Sequence, residues 1–178
     1  MELLGETVLC RGKRVILTQR TYSYGGRRFV RDVVEFGQSV AVVPLVGGDV
    51  ILIRQFRAPV SAWVLEIPAG RVDPGESPEE AARRELVEEV GYYPRKLAKL
   101  GSVYMSPGYS DEVLHVYLAE ELEYVGSSPE PGELIEVVRV KLAEAVSAVL
   151  GAGVADAKTL LSLLLLRELS RGGAEARF

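Results

Sequence analysis

Apolar and polar residues along this chain alternate, cluster and lapse in a way that divides it into many strands and few helices. Short runs rich in β-branched residues at 7–10 and 15–20 predict strands, and the tyrosine-rich stretch 22–36 predicts a hairpin turning at Gly25-Gly26. Residues 39–46 and 50–56 are apolar runs separated by Gly47-Gly48-Asp49, a second hairpin that opens a central mixed sheet. Strands are predicted again at 99–104, 113–120 and 135–141, with a helix at 142–150. Asp156 is placed to cap a last helix running to about Arg171, whose leucine-rich middle is too short to span a bilayer and reads as buried. The class is therefore α/β, a mixed sheet between helices. Residues 1–38 form an N-terminal antiparallel β appendage, 39–171 the main domain and 172–178 a frayed tail.

One helix is announced at both ends. Ser77 is a good N-cap, Pro78 suits the first helical position and Glu80 completes a capping box. Gly91 followed by Pro94 supplies the stop, and Ala82, Leu86 and Val90 repeat at four-residue spacing to make one buried face. The helix is expected over residues 78–90. Glu85, Glu88 and Glu89 stand at i, i+3 and i+4 and converge on one flank of it.

Like charges so placed repel, by a few tenths of a kcal/mol per exposed pair and by more when partly buried. Something positive is expected among them. Carboxylates without thiols or imidazoles favour a hard divalent cation, Mg²⁺ or Mn²⁺, and the chain offers only His115 and Cys10 as softer ligands. An ordinary solvated helix face, with Arg84 paired to Glu88, would account for the acids alone. It does not account for Gly70 and Glu76 at fixed offsets upstream.

Composition narrows the reading without deciding it. A chain of 178 residues, 48 % hydrophobic, has the material for one ordinary domain with an appendage. The net charge of −4 argues against broad binding to nucleic acid or anionic membranes, while local arginines and a metal can still meet a small anionic substrate. With no run of about 18 apolar residues and no charged-then-apolar leader pattern, a cytoplasmic protein outside the membrane is expected. Cys10 has no second cysteine to pair with and is expected as a small apolar filler.

Gly70, five residues, Glu76, seven residues, then Arg84-Glu85-Leu86-x-Glu88-Glu89-x-Gly91-Tyr92 matches the Nudix box. A chance match at seven such positions has a probability on the order of 10⁻⁸ per starting point. The one departure is Tyr92, in a slot that is usually aliphatic. The resemblance extends to residues 63–70 and 106–112, which look like the ADP-ribose pyrophosphatase branch. Pro107, sixteen residues after Gly91, is the sharper clue, although alone it would read as a Ser-Pro-Gly turn.

The resemblance implies a fold, a reaction and a set of site residues. The fold would be a Nudix α/β/α sandwich, and the reaction hydrolysis of ADP-ribose or a close ADP-sugar to AMP and ribose 5-phosphate with Mg²⁺ or Mn²⁺. By the same resemblance, Glu85, Glu89 and the main-chain carbonyl of Ala69 would ligate the metal, with Glu88 as a further or water-mediated ligand and Arg84 orienting them. Glu133 matches the position of the general base, with Glu130 and Glu136 as neighbours that could be mistaken for it. Arg57 and Arg31 resemble adenosine-diphosphate contacts, Arg54 competing with Arg57. Glu66 would meet metal-bound water or ribose, Trp63 would pack near the pocket or in the core, and Gly108 and Glu112 would touch substrate. The appendage would cross to a second subunit, so that Arg31 acts across a homodimer. Two other readings stay open: a Nudix hydrolase of a dinucleoside polyphosphate, a nucleoside triphosphate or a capped RNA, and a non-catalytic ADP-ribose sensor. Sensors usually lose box acids, and all are present here.

Overall fold

In the computed structural model, residues 1–129 and 131–172 are described; Glu130, a neighbour of the expected base, and the end of the tail, 173–178, lie outside the described residues. The chain divides into two units, Met1–Gln38 with Val103–Leu114, and Ser39–Ser102 with the chain from His115 onward.

In the first unit, β1 (Glu2–Arg11), β2 (Ile16–Tyr24) and β3 (Arg27–Glu35) form an antiparallel sheet in that order. Tyr24 pairs with Arg27 across the expected Gly25-Gly26 turn. The segment after Val103 joins this sheet: Val34 donates to the Tyr109 carbonyl at 2.7 Å, and the Asp111 carboxylate accepts from the backbone of Phe36 and Gly37 at 2.7 and 3.1 Å. β1 is exposed along its whole length. Cys10 therefore corrects the expectation of a packed filler, because it lies exposed on that edge strand.

The second unit holds β4 (Gln38–Val46), β5 (Asp49–Arg57), β6 (Ala62–Glu66), β7 (Ala69–Arg71), α1 (Pro78–Val90), β8 (Tyr92–Tyr104), β9 (Val113–Tyr124), β10 (Ile135–Lys141), α2 (Ala145–Gly151) and α3 (Ala157–Gly172). β4 begins with the last residue of the first unit, and β8 and β9 each run into that unit at one end. The mixed sheet runs β10-β5-β4-β9-β8, with β6 paired to β5 and β7 to β4. Val40, Val42, Ile51 and Ile53 meet Ala81, Ala82, Leu86 and Val90 of α1 in one cluster with Tyr117 and Ala119. Each large aliphatic side chain so buried contributes about 1.5–3 kcal/mol. The alternate residues Ala41, Val43, Val50 and Leu52 are equally buried on the opposite face, and α2 packs on α3 and on β10.

The predicted α1, β10 and both hairpins fall where the pattern put them. β6 and β7 were not foreseen. β8 starts directly after Gly91 rather than at residue 99, and residues Leu142–Glu144 form a 3-10 turn ahead of a shorter α2. Gly172, the first residue of the expected tail, is still within α3. Among the described residues no helix is long and apolar enough to cross a membrane.

Candidate active site

The capping box forms as its residues require: the Ser77 hydroxyl accepts from the Glu80 N–H at 3.2 Å, and Glu80 Oε2 accepts from the Ser77 N–H at 2.8 Å. At the other end Gly91 takes the left-handed conformation, φ +78°, and donates to the Val87 carbonyl. A Cβ there would lie 2.8 Å from backbone atoms of Gly126 and Ser127. Glycine thus lets the chain beyond β9 cross the helix end, where Ser128 donates to the Glu88 carbonyl at 3.0 Å and Val125 to that of Gly91 at 2.8 Å. This crossing leads the chain toward Glu133.

Gly70 has a different reason. A Cβ on it would sit 1.9 Å from Glu85 Oε1, so the Glu85 carboxylate rests directly against the Ala69–Gly70 backbone. From the same helix Glu89 Oε2 accepts the Ala69 N–H at 3.0 Å. The short strand β7 therefore brings a main-chain carbonyl beside two carboxylates of α1.

Arg84 ties the box together with all five of its N–H groups. Nε and Nη2 fork onto Glu76 at 2.9 and 3.0 Å, Nη1 donates to Glu85 at 2.8 Å and Glu88 at 3.0 Å, and Nη2 also donates to the Arg71 carbonyl at 2.9 Å. The fork holds Glu76 below the usual carboxylate range. An isolated surface pair would involve Glu88 alone; here one guanidinium spans the loop, β7 and two turns of α1.

That single positive group does not balance the site. Burial pushes Glu85 up to about 7, opposed by Arg84 and reinforced by repulsion from Glu88 and Glu133. Burial pushes Glu89 up to about 8, reinforced by Glu85 and Glu133 and opposed by the Ala69 N–H and Arg57. Glu133 is thus close enough to repel both carboxylates, whereas Glu136 faces Arg54 at 3.3 Å in an exposed pair.

Among the described residues no three His, Cys, Asp or Glu side chains converge as a ready-made metal cage. Arg84 holds Glu85 and Glu88, and Glu89 rests on Ala69. The donor chemistry nevertheless suits a hard divalent cation: carboxylate and carbonyl oxygens beside buried, mutually repelling charges. Of the two softer donors, His115 is bonded to Ser102 at 2.8 Å, and Cys10 belongs to the other unit.

Glu66, 1 % exposed, is a different kind of carboxylate. Arg57 forks onto it through Nε and Nη2, both at 2.8 Å, and Lys158 Nζ also donates to it. Burial alone would raise Glu66; those two cations outweigh burial and leave it below the ordinary range. The structure brings Arg57 and Glu66 together and leaves Arg57 Nη1 outside their fork. Of the two readings of Trp63, the core one is excluded: the residue is 39 % exposed, edge-on to Phe56 with Arg54 over its ring, because β6 pairs with β5 alone. Lys158 and Thr159 carried no sequence signal beyond their place after the Asp156 cap.

Arg31, Gly108 and Glu112 belong to the first unit. Arg31 lies over the Phe29 ring and donates to the Val30 carbonyl at 2.8 Å. Pro107 takes the second place of a turn closed by Tyr109 N–H to the Ser106 carbonyl at 3.0 Å, with Gly108 next in open space.

A fold of this topology carrying such a box defines the class, and the family model of the NUDIX domain matches residues 35–164. The chain belongs to that family. It is 41 % identical over 145 residues to the ADP-ribose pyrophosphatase of Bacillus subtilis (strain 168), covering 80 % of this chain and 78 % of that protein. It is 30 % identical over 145 residues, with the same coverage, to the methanol dehydrogenase activator of Bacillus methanolicus. A crystal structure of an ADP compounds hydrolase superposes with a TM-score of 0.86 over 98 % of this chain and 96 % of that one, at 27 % identity.

Proposed function

We propose that this protein is a divalent-metal-dependent Nudix pyrophosphohydrolase that cleaves ADP-ribose, or a close ADP-sugar, to AMP and ribose 5-phosphate. The observation that carries the reading is the pair of buried, mutually repelling carboxylates Glu85 and Glu89 set against the Ala69–Gly70 backbone. The 41 % identity to an ADP-ribose pyrophosphatase supports the substrate class.

Glu85, Glu89 and the Ala69 carbonyl would hold Mg²⁺ or Mn²⁺, with Glu88 as a further or water-mediated ligand. When bound, the cation neutralises the charge of the pyrophosphate that otherwise repels a nucleophile. Arg84 keeps Glu85 and Glu88 aligned through its Nη1. Glu133 accepts the proton of the attacking water as one P–O bond forms and the bridging P–O bond breaks. Its nearness to Glu85 and Glu89 favours it over Glu136, which Arg54 occupies. Arg57, through Nη1, and Glu66 would contact substrate; Arg31, Gly108 and Glu112 stand as substrate contacts by the resemblance, Arg31 from a second copy. The exposed apolar residues Leu3, Val8 and Leu9 of β1 support pairing of the appendage with a second copy.

The test is release of the nucleoside monophosphate (AMP, GMP or dAMP) with Mg²⁺ from ADP-ribose, ADP-glucose, GDP-mannose, NADH, Ap4A and dATP, by wild type and Glu89→Gln. Selective cleavage of ADP-ribose, lost in the variant, is expected. Cleavage led by another substrate would move the assignment to that substrate, and ligand binding without turnover would make the protein a sensor.

A further inference from the structure

We infer that the first turn of α3 positions the cation site, with Thr159 and Lys158 as its working residues. The inference rests on the reading of Ala69 and Glu89 as cation ligands.

The segment from Glu66 to Ala69 is tied at every consecutive residue. The Glu66 carboxylate is held by Arg57 and Lys158; the Ile67 N–H donates to Thr159 Oγ1 at 2.9 Å; the Pro68 carbonyl accepts from Val42 N–H at 2.9 Å; the Ala69 N–H donates to Glu89. Two of these four ties come from α3, 92 residues away in sequence. Proline at 68 removes one donor and leaves Ile67 as the last N–H before Ala69.

Thr159 is itself aimed. Asp156 Oδ2 accepts both the Thr159 N–H at 2.9 Å and its hydroxyl at 2.6 Å, so the hydroxyl proton is committed and a lone pair faces Ile67. Lys158 Nζ bridges Asp156 at 3.0 Å to Glu66. Thr159 is fully buried, so removing its hydroxyl strands the Ile67 N–H without water to replace it. Ala69, two residues on, presents its carbonyl to the site and holds Glu89 through its N–H. α3 thereby acts on the site through the backbone, as outer partners act on metal ligands.

The experiment measures Mn²⁺ affinity of the substrate-free protein by electron paramagnetic resonance, for wild type, Thr159→Val, Thr159→Ser and Lys158→Met, with melting temperatures alongside. Thr159→Val is expected to weaken Mn²⁺ about tenfold or more, with Thr159→Ser within about twofold of wild type. Lys158→Met is expected to weaken it in the same direction and serves if Thr159→Val does not fold. Wild-type Mn²⁺ affinity in the folded variants, whatever their melting temperatures, would overturn the inference and leave the cation site intact. Wild type that binds no Mn²⁺ would overturn the cation reading and this inference together.

Discussion

Glu66 and Glu89 are buried almost equally, at 1 % and 3 % exposure, yet the fold shifts them in opposite directions. Around Glu66 burial is outweighed by a two-pronged arginine and a lysine, so the charge is stable where it lies. Around Glu89 burial is met by one backbone N–H and the more distant Arg57, and is aggravated by Glu85 and Glu133. The fold therefore supplies internal counter-charge where a carboxylate anchors β6 and leaves it out where α1 meets β7. A buried anion without a partner is costly, so the second arrangement makes sense when the partner comes from solution.

Replacing each carboxylate by its amide tests that contrast most severely. Glu89→Gln is expected to lower turnover by at least about a thousandfold, equivalent to ~4 kcal/mol of barrier. Without metal at pH 8 the same variant should melt no lower than wild type, since it sheds an unbalanced charge. Glu66→Gln should lose about 3 kcal/mol of stability, because Arg57 and Lys158 then face a neutral group. Calorimetric melting of the three proteins decides the matter: shifts of the same sign and size in both variants would remove the distinction.

Half of that contrast was legible in the sequence. Glu85, Glu88 and Glu89 were visible because helical spacing alone places them on one flank, and Ser77, Pro78 and Gly91 marked the helix ends by local chemistry. The counter-charge of Glu66 was hidden, since Lys158 reaches it from 92 residues away and no local pattern encodes such a meeting. β6 and β7 escaped because each is short and they are separated by Ile67-Pro68; β8 escaped because its first half carries Pro94, Arg95 and Lys96 and shows little alternation. Cys10 as a packed filler and the core alternative for Trp63 both failed for one reason. Composition says that such residues are usually covered, but only strand order says whether another strand lies beyond them.

The contrast also predicts a pH dependence of fixed sign. A carboxyl whose folded pKa is raised keeps its proton longer in the folded state, so its contribution is complete below the unfolded value, about 4.5, and fades as pH rises. For Glu85 and Glu89 it is lost through about 7 and about 8. Glu66, lowered, runs the other way, contributing above the ordinary carboxylate range and failing only in acid. Metal-free protein should accordingly lose stability from about pH 5 to 8, by at most about 1.4 kcal/mol per pH unit per group. Mg²⁺, which binds the ionised forms, should flatten the slope. Urea midpoints at three pH values with and without Mg²⁺ measure it. A flat profile in the metal-free protein would mean that Glu85 and Glu89 are already balanced.

The smallest expected effect lies one residue from the largest concentration of charge. Arg83 and Arg84 are neighbours on α1, but their surroundings repeat the contrast in miniature. Arg84 places all its donors on the box, and among its partners Glu85 is largely buried. Arg83 instead meets the exposed Glu79 at 2.9 Å, the Pro94 carbonyl at 2.5 Å and the Tyr93 ring at 5.7 Å. Its pair with Glu79 is an i,i+4 surface interaction of about 0.3–0.5 kcal/mol, to which the carbonyl bond adds on the order of 1 kcal/mol. Arg83→Ala should therefore cost about 1–1.5 kcal/mol of stability and leave turnover and the Mg²⁺ requirement unchanged. A large loss of turnover in Arg83→Ala would mean that the whole charged flank of α1 serves the reaction, and the separation between compensated and uncompensated charge would no longer mark the site.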